Sequence, residues 1–203
     1  RGRIEFIPVF RWNYPGLYET LFTGALLLRL EAMPALLHWM ACVASTVTLF
    51  QIGRQFYSTS AGIVAALAYY TMPIAIDRST APKSELALAM FGIVSVYAII
   101  LWLQQENSSW LWVSAIMAGL QASTKLQGLG PMVASCGAAL VAVIVIKRRR
   151  PREAVLLLAQ YILIAGLVGC PWYVRNWLAS GDPIWPMGYG MFASRFWTEA
   201  NYI

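Results

Sequence analysis

Six stretches of the chain contain no charged side chain, and each is 18 to 22 residues long. About 20 helical residues, each rising 1.5 Å, cross the roughly 30 Å hydrocarbon core of a bilayer. The spacing of the charges therefore predicts six transmembrane helices. The uncharged stretches run from Ala32 to Gly53, Gln55 to Ile76, Leu86 to Gln105, Asn107 to Thr124, Leu126 to Ile146 and Ala154 to Val174.

The composition excludes two other classes of protein. Charged residues make up 12% of the 203-residue chain, about half of the roughly 25% that a soluble domain carries. Disorder is excluded as well, because 59% of the residues are apolar and disordered chains combine low hydrophobicity with high charge. What remains is an integral membrane protein, for which no nucleic-acid partner is expected.

The first thirty residues differ from the rest of the chain. The segment from Gly16 to Leu30 is apolar, but it is only 15 residues long and contains Glu19 and Arg29. A charge at the middle of a membrane costs about 2.5 to 3.5 kcal/mol on insertion scales. We therefore predict a helix that lies at the membrane surface or re-enters it.

The predicted fold is all-α, a polytopic bundle of about six transmembrane helices preceded by this juxtamembrane helix. It divides the chain into an extracytoplasmic juxtamembrane segment (1–31), a six-helix transmembrane domain (32–174) and the start of an extracytoplasmic loop (175–203).

The orientation is predicted from one basic cluster. Five of the seven residues from Lys147 to Glu153 are basic, and short loops rich in Lys and Arg favour the cytoplasmic side. Six crossings then place both chain ends, the segment from Asp77 to Glu85 and Lys125 on the extracytoplasmic side. The total count of basic residues, six inside and nine outside, favours the opposite orientation, but we give the dense cluster more weight.

Acidic and basic residues gather on the predicted outer side. Carboxylates can accept a proton from a hydroxyl, and Lys or Arg can bind phosphate oxygens, so this pattern suits an amphiphilic substrate with an anionic head group. The alternative is that loops carry charge simply because they are solvated. The residues on this side include Glu19, Asp77, Arg78, Glu85, Lys125 and Arg175.

Two of these residues have specific structural alternatives. Lys125 stands between two uncharged stretches, where either a phosphate partner or snorkelling to the interface would account for it. Glu85 opens a predicted helix, a position that the helix dipole favours for an acid. His38 is the only histidine, so a His-rich metal site is excluded, and a core or lipid-interface role is expected for it. The sequence contains no phosphate-binding loop and no zinc-protease motif.

Six short motifs follow one another along the chain: Pro15 to Phe22, Ala35 to Phe56, Ala81 to Leu88, Ala118 to Lys125, Pro171 to Trp177 and Gly181 to Pro186. Their order resembles the GT-C glycosyltransferases, which include protein O-mannosyltransferases and the aminoarabinose transferases of lipid A. The chain would then be an internal part of such an enzyme, lacking the first helix and the catalytic loop. Each motif is weak alone, and their order carries the resemblance. Leu126 and Asp182 depart from it, where the family commonly has Gly and Asn.

The resemblance implies an activity and a set of partners. A sugar would pass from a polyprenyl-phosphate donor to a lipid, glycan or protein acceptor, with inversion and general-base catalysis, at the outer face of a bacterial or archaeal plasma membrane. A divalent metal is possible, since some relatives use one, and membrane lipids are further partners. The principal catalytic Asp is expected upstream of residue 1, so the chain alone is expected to be inactive.

The same resemblance assigns roles to single residues. Glu85 matches a family acid near the donor head group, and Glu19 falls near a substrate contact in the juxtamembrane helix; both are supporting catalytic residues. Lys125 and Arg175 are the phosphate-binding candidates. Asp77 and Arg78 are added as substrate-binding residues because they lie close by in the sequence.

Two other functions stay open. A transporter or flippase for an amphiphilic anion would place ionisable residues in broken helices at mid-membrane, often within internal repeats. The chain shows no repeat between its halves, and its ionisable residues stand at the edges of the uncharged stretches. In a purely structural membrane subunit, the charges on the outer face would be dispensable.

Overall fold

The computed structural model describes residues 13–79, 81–146, 150–192 and 194–196, and within these ranges the regular structure is entirely helical. The prediction of an all-α bundle is confirmed. A 3-10 turn (Leu126–Gly128) leads into α7, and a π-helical segment (Ala142–Ile146) continues it. In chain order the α-helices of the described ranges are α1 (Leu17–Leu27), α2 (Met33–Phe56), α3 (Thr59–Tyr70), α4 (Pro73–Ser79), α5 (Glu85–Gln105), α6 (Ser108–Thr124), α7 (Leu129–Val141), α8 (Pro151–Gly169) and α9 (Pro171–Ser180).

The described residues contain four helices that are long and apolar enough to cross a membrane, not six. These are α2, α5, α8 and the continuous helix Leu126–Ile146. A fifth candidate is the pair α3 and α4, which bends by 61°. The bend falls where Pro73 begins α4, because proline has no N–H to continue the hydrogen-bond ladder of a helix.

The fourth predicted span forms α6, which has 17 residues and is about 25 Å long. Asn107 caps the N-terminus of α6: its Oδ1 accepts a hydrogen bond from the Ser109 N–H at 3.0 Å. At the C-terminus the helix stops at Lys125, whose backbone is extended. This short helix lies in the interior of the bundle, where Leu111 and Ala118 are fully buried.

Two apolar clusters hold the helices together. One apolar cluster, which includes Trp102 and Tyr161, joins α5 and α6 to α7 and α8. A second cluster, which includes Tyr18, Cys42 and Leu86, holds α1 and α4 against α2 and α5. The second cluster fixes the short helices that carry charged residues to the long helices of the bundle.

A chain of hydroxyl groups crosses the buried middle of the bundle. Ser95 of α5 lies 3.0 Å from Ser114 of α6, oxygen to oxygen, and the Ser114 Oγ lies 2.9 Å from the hydroxyl of Tyr161 in α8. All three side chains are fully buried. Hydrogen bonds of this kind join helices in an apolar environment that offers few other polar partners.

Replacing Tyr161 with phenylalanine should therefore lower the free energy of unfolding by about 0.5 to 1.5 kcal/mol. The ring still fills its space, so only the hydrogen bond is lost. Thermal unfolding in detergent measures the change. Tyr57→Phe is the matched control, because Tyr57 is 84% exposed, and an equal change in both variants would contradict the prediction.

The segments predicted to share one side of the membrane do meet at one end of the bundle. We call this the charged end; it comprises residues 13–36, 73–79, 81–88, 121–128 and 170–192. The Tyr18 hydroxyl donates to the Leu37 carbonyl at 2.6 Å, which fixes α1 on α2. At the opposite end, Gln55 contacts both Gln104 and Tyr97.

Three of the predicted regions are only partly described. Residues 1–12 of the juxtamembrane segment, 147–149 of the basic cluster and 197–203 at the chain end lie outside the described residues. The described part of the juxtamembrane segment contains α1, whose 11 residues span about 17 Å, too short for a bilayer. The last predicted span, Ala154 to Val174, ends at Gly169 in the structure, and α9 continues to Ser180, into the region from residue 175 that was predicted to begin a loop.

Candidate functional site

An ion pair lies at the centre of the charged end. The Lys125 ammonium donates to Glu85 Oε1 at 2.7 Å, and the two side chains are 28% and 42% exposed, respectively. The residues are 40 positions apart in the sequence, and their pairing was not predicted. Lys125 therefore has a carboxylate partner that neither of its sequence-based interpretations included.

The ends of two neighbouring helices bring this pair together. Glu85 begins α5 and Lys125 follows the last residue of α6, so each charge has the sign that the nearby helix dipole favours. The Gln121 amide donates to the Leu88 carbonyl at 3.1 Å and ties the two helices near these ends. Gly128 closes the turn after Lys125 so tightly that a Cβ there would overlap the Gln121 carbonyl.

Glu19 reaches the same region from α1. Its Oε1 accepts a hydrogen bond of 2.6 Å from the hydroxyl of Ser84, which lies 65 residues away in the sequence and directly precedes Glu85. Ser84 is buried, whereas Glu19 is exposed. The structure therefore brings Glu19, Glu85 and Lys125 to one place, and Ser84 is a member of this group that sequence reasoning missed.

A cavity of about 300 Å³ opens beside Glu85, between the bent pair α3 and α4 and the first turns of α5. We call it the α4–α5 cavity. Arg78 and Glu85 are the charged residues in its described lining, and the remaining walls are largely apolar. Asp77, which is 70% exposed, contacts Arg78 at 3.2 Å. The lining consists of Tyr69, Met72, Ile74, Ala75, Arg78, Glu85, Leu86 and Ala89.

Arg175 lines a second cavity of about 250 Å³, which we call the α1–α9 cavity, together with Leu17, Thr20, Pro171 and Trp172. Its guanidinium carbon lies 5.3 Å from the centre of the Trp172 ring. Burial lowers the pKa of Arg175, but an arginine remains charged at neutral pH. Among the described residues the two cavities share no lining residue.

The position of α9 follows from its contacts with α6 and with the start of the described chain. The Tyr173 hydroxyl donates to the Ala122 carbonyl at 2.8 Å, and burial raises the pKa of Tyr173, so this hydroxyl keeps its proton. The Asn176 amide donates to the Asn13 carbonyl at 2.8 Å, and Arg175 donates to Asn13 Oδ1 at 3.3 Å. The motif from Pro171 to Trp177 thus holds Arg175 in place.

Asp182 organises the turns that follow α9. It is fully buried, and its two carboxylate oxygens accept hydrogen bonds from the N–H groups of Ile184 at 3.0 Å and Gly188 at 3.1 Å. Burial raises the pKa of Asp182, and these two bonds offset the rise only in part. The departure from the common Asn at this position is accounted for, because a carboxylate offers an acceptor to both N–H groups.

Asp182→Ala should lower the free energy of unfolding by about 2 kcal/mol and expose the turns at 183–192 to protease. The reason is that two backbone donors lose their acceptors. Thermal unfolding and limited proteolysis measure the two effects. Glu31→Ala, at an exposed position of the charged end, is the control, and equal behaviour of both variants would argue against this role.

No group of three or more His, Cys, Asp or Glu side chains that could hold a metal ion lies within the described parts of the chain. The possible divalent metal therefore has no candidate ligand set among these residues.

An all-helical bundle whose described helices include four long and apolar enough to cross a membrane places the chain among the polytopic membrane proteins. Residues 23–173, about three quarters of the chain, match the family model described as dolichyl-phosphate-mannose-protein mannosyltransferase. The chain belongs to this family, and it is a membrane glycosyltransferase of the GT-C type. The resemblance in the sequence is confirmed. Neither a curated protein nor a solved structure matches the chain significantly.

Proposed function

We propose that the protein transfers a sugar from a polyprenyl-phosphate donor to an acceptor at the extracytoplasmic face of the membrane. The family's description refers to a dolichyl-phosphate-linked mannose and to a protein acceptor, which agrees with this class of substrates. The observation that carries the proposal is the α4–α5 cavity, where a largely apolar wall adjoins Arg78 and the Glu85–Lys125 pair.

The chemistry of this cavity suits a lipid phosphate. Met72, Ile74 and Leu86 offer apolar contacts to an isoprenoid chain, and Arg78 offers a planar set of donors for phosphate oxygens. The Lys125 ammonium has three N–H donors, so it can contact a phosphate while it keeps its bond to Glu85. The donor head group would then lie between Arg78 and Lys125.

The transfer step follows from this placement. The acceptor oxygen attacks the anomeric carbon from the side opposite the phosphate, and its proton passes to a general base. The bond between this carbon and the phosphate oxygen breaks, and the electron pair stays on the lipid phosphate. Arg78 and Lys125 offset the charge that develops there, and the configuration of the sugar inverts. The base is the Asp that the resemblance implies upstream of residue 1.

The other candidate residues support these two cations. Glu85 orients Lys125, Asp77 orients Arg78, and Glu19 holds the start of α5 through Ser84. Arg175 remains a candidate for phosphate contact, but it lines the α1–α9 cavity. Its contribution to donor binding would therefore be measured separately, with an Arg175 variant.

The geometry does not favour the transporter alternative. A transporter site would lie at the break of a discontinuous helix, near mid-membrane. In this chain the break lies between Tyr70 and Pro73, whereas Asp77 and Arg78 lie at the far end of α4. Met72 of the break and Glu85, the first residue of α5, line the same cavity, so the break lies at the charged end of the bundle and not at its middle.

The proposal is tested by transfer assays in lipid nanodiscs on the longer protein that the resemblance implies, which includes the catalytic Asp, with a polyprenyl-phosphate sugar as donor. Arg78→Ala should raise the donor KM about tenfold, because a hydrogen bond to a charged group is lost. Arg54→Ala is the matched control, since Arg54 is exposed in the last turn of α2, at the opposite end. Equal effects in both variants, or movement of the lipid without sugar transfer, would contradict the proposal.

A further inference from the structure

His38 lies in α2 close behind the charged end, with a fully buried side chain. Neither ring nitrogen has a hydrogen-bond partner among the described residues. A neutral imidazole carries one N–H donor and one acceptor, and burying both unpaired is unfavourable. A partner outside the described protein atoms would remove this cost, and a buried water molecule is the usual one.

The surroundings of His38 limit what that partner can reach. The ring of Tyr18 packs edge to face against the imidazole, with ring centres 6.3 Å apart. Tyr18 is itself held by its bond to the Leu37 carbonyl. Tyr18 also belongs to the apolar cluster that contains Leu86, the residue after Glu85. The Glu85 carboxylate, next to Leu86, is therefore a strong acceptor at the cluster against which His38 packs.

Glu85 has an acceptor to offer. Its Oε1 receives the Lys125 ammonium, whereas its Oε2 is buried and has no partner among the described residues. α2 and α5 pack through the cluster that contains Ala41, Cys42, Leu86 and Ala87. A buried donor on α2 and a buried acceptor at the start of α5 therefore lie on neighbouring helices of one cluster.

We propose that His38 is a positioning residue for Glu85, whose Oε2 accepts a hydrogen bond from the imidazole N–H through one bridging water molecule. Lys125 holds the other oxygen. Bound on both sides, the carboxylate keeps one orientation, and this fixes the ammonium beside the α4–α5 cavity. This hydrogen bond does not depend on the proposed function, whereas its effect on the rate of sugar transfer rests on that function.

The first test is independent of catalysis. Because His38 is the only histidine of the chain, nitrogen-15 labelling of histidine gives one imidazole to observe by NMR. Glu85→Gln should shift both ring-nitrogen signals. Glu153→Gln makes the same substitution at an exposed position in the first turn of α8 and should leave them unchanged. If Glu85→Gln fails to fold, Glu85→Asp retracts the oxygens and should shift the signals as well. Unchanged signals in the folded variant would overturn the proposal.

The second test measures transfer. His38→Leu should lower kcat about tenfold with little change in donor KM, because Lys125 is held less accurately. His38→Asn keeps an N–H donor and should recover most of the rate. If His38 only filled space, leucine would raise the melting temperature and preserve kcat, which would refute the positioning role. If the longer protein that includes the catalytic Asp transfers no sugar, with or without these substitutions, the proposed function fails, while the NMR result still decides the hydrogen bond.

Discussion

Lys125→Ala is expected to lower kcat/KM for sugar transfer by about 100-fold, the size of effect seen when one preorganised donor to a developing oxyanion is removed. The ammonium is the cation that the Glu85 carboxylate fixes at 2.7 Å, so no reorganisation is needed when charge develops on the leaving phosphate. Steady-state transfer assays in nanodiscs measure the loss.

The stability of the same variant separates catalysis from folding. Glu85 is 42% exposed, and ion pairs accessible to solvent contribute only about 0 to 1 kcal/mol. The melting temperature should therefore change little. Lys83→Ala, which removes a lysine from the segment between α4 and α5, is the control and should retain most of the activity. Equal losses in the two variants would mean that only the overall positive charge of this face matters.

Gly128→Ala is expected to cost about 3 kcal/mol of folding free energy, at the upper end for an overpacked site. The added Cβ would overlap the Gln121 carbonyl, which belongs to the backbone of α6 and cannot rotate away. Relief of the overlap would move the turn that presents Lys125, so activity should fall with stability. Thermal unfolding and transfer assays measure the two effects.

The matched control lies two residues further along the chain. Among the described atoms, a Cβ at Gly130 would meet nothing within 4 Å. Gly130 lies in α7, where alanine restricts the unfolded chain and stabilises by about 0.4 to 1 kcal/mol. The two substitutions are chemically identical and should have opposite signs. A loss of stability in Gly130→Ala equal to that in Gly128→Ala would show that the turn itself is not the cause.

The sequence alone was sufficient to predict that the chain is a helical membrane protein, because the cost of burying charge limits where helices can cross. The spacing of charges does not indicate where a helix is interrupted, however. The uncharged stretch from Gln55 to Ile76 contains Pro73, where the structure bends by 61°. The stretch from Asn107 to Thr124 does not indicate that its helix lies inside the bundle, because small residues such as Ala118 are suited both to contact with lipid and to the bundle interior.

The site was predictable only as a set of residues at one end of the bundle. The Glu85–Lys125 pair joins positions 40 residues apart, and the Glu19–Ser84 bond joins positions 65 apart. Such pairings depend on the rotation of each helix about its axis, which a pattern of charges does not define. For the same reason, the pattern of charges does not indicate that Arg175 and Arg78 line different cavities.

The chain of hydroxyl groups through Ser95, Ser114 and Tyr161 has a mechanical consequence for the site. Donors and acceptors on α5, α6 and α8 meet at one depth, so one helix cannot slide along another without breaking these bonds. A slip of one turn, about 5.4 Å, would also separate Glu85 from Lys125, since they stand at the ends of the same α5 and α6. The middle of the bundle thus sets the register in which the two charges meet at its surface.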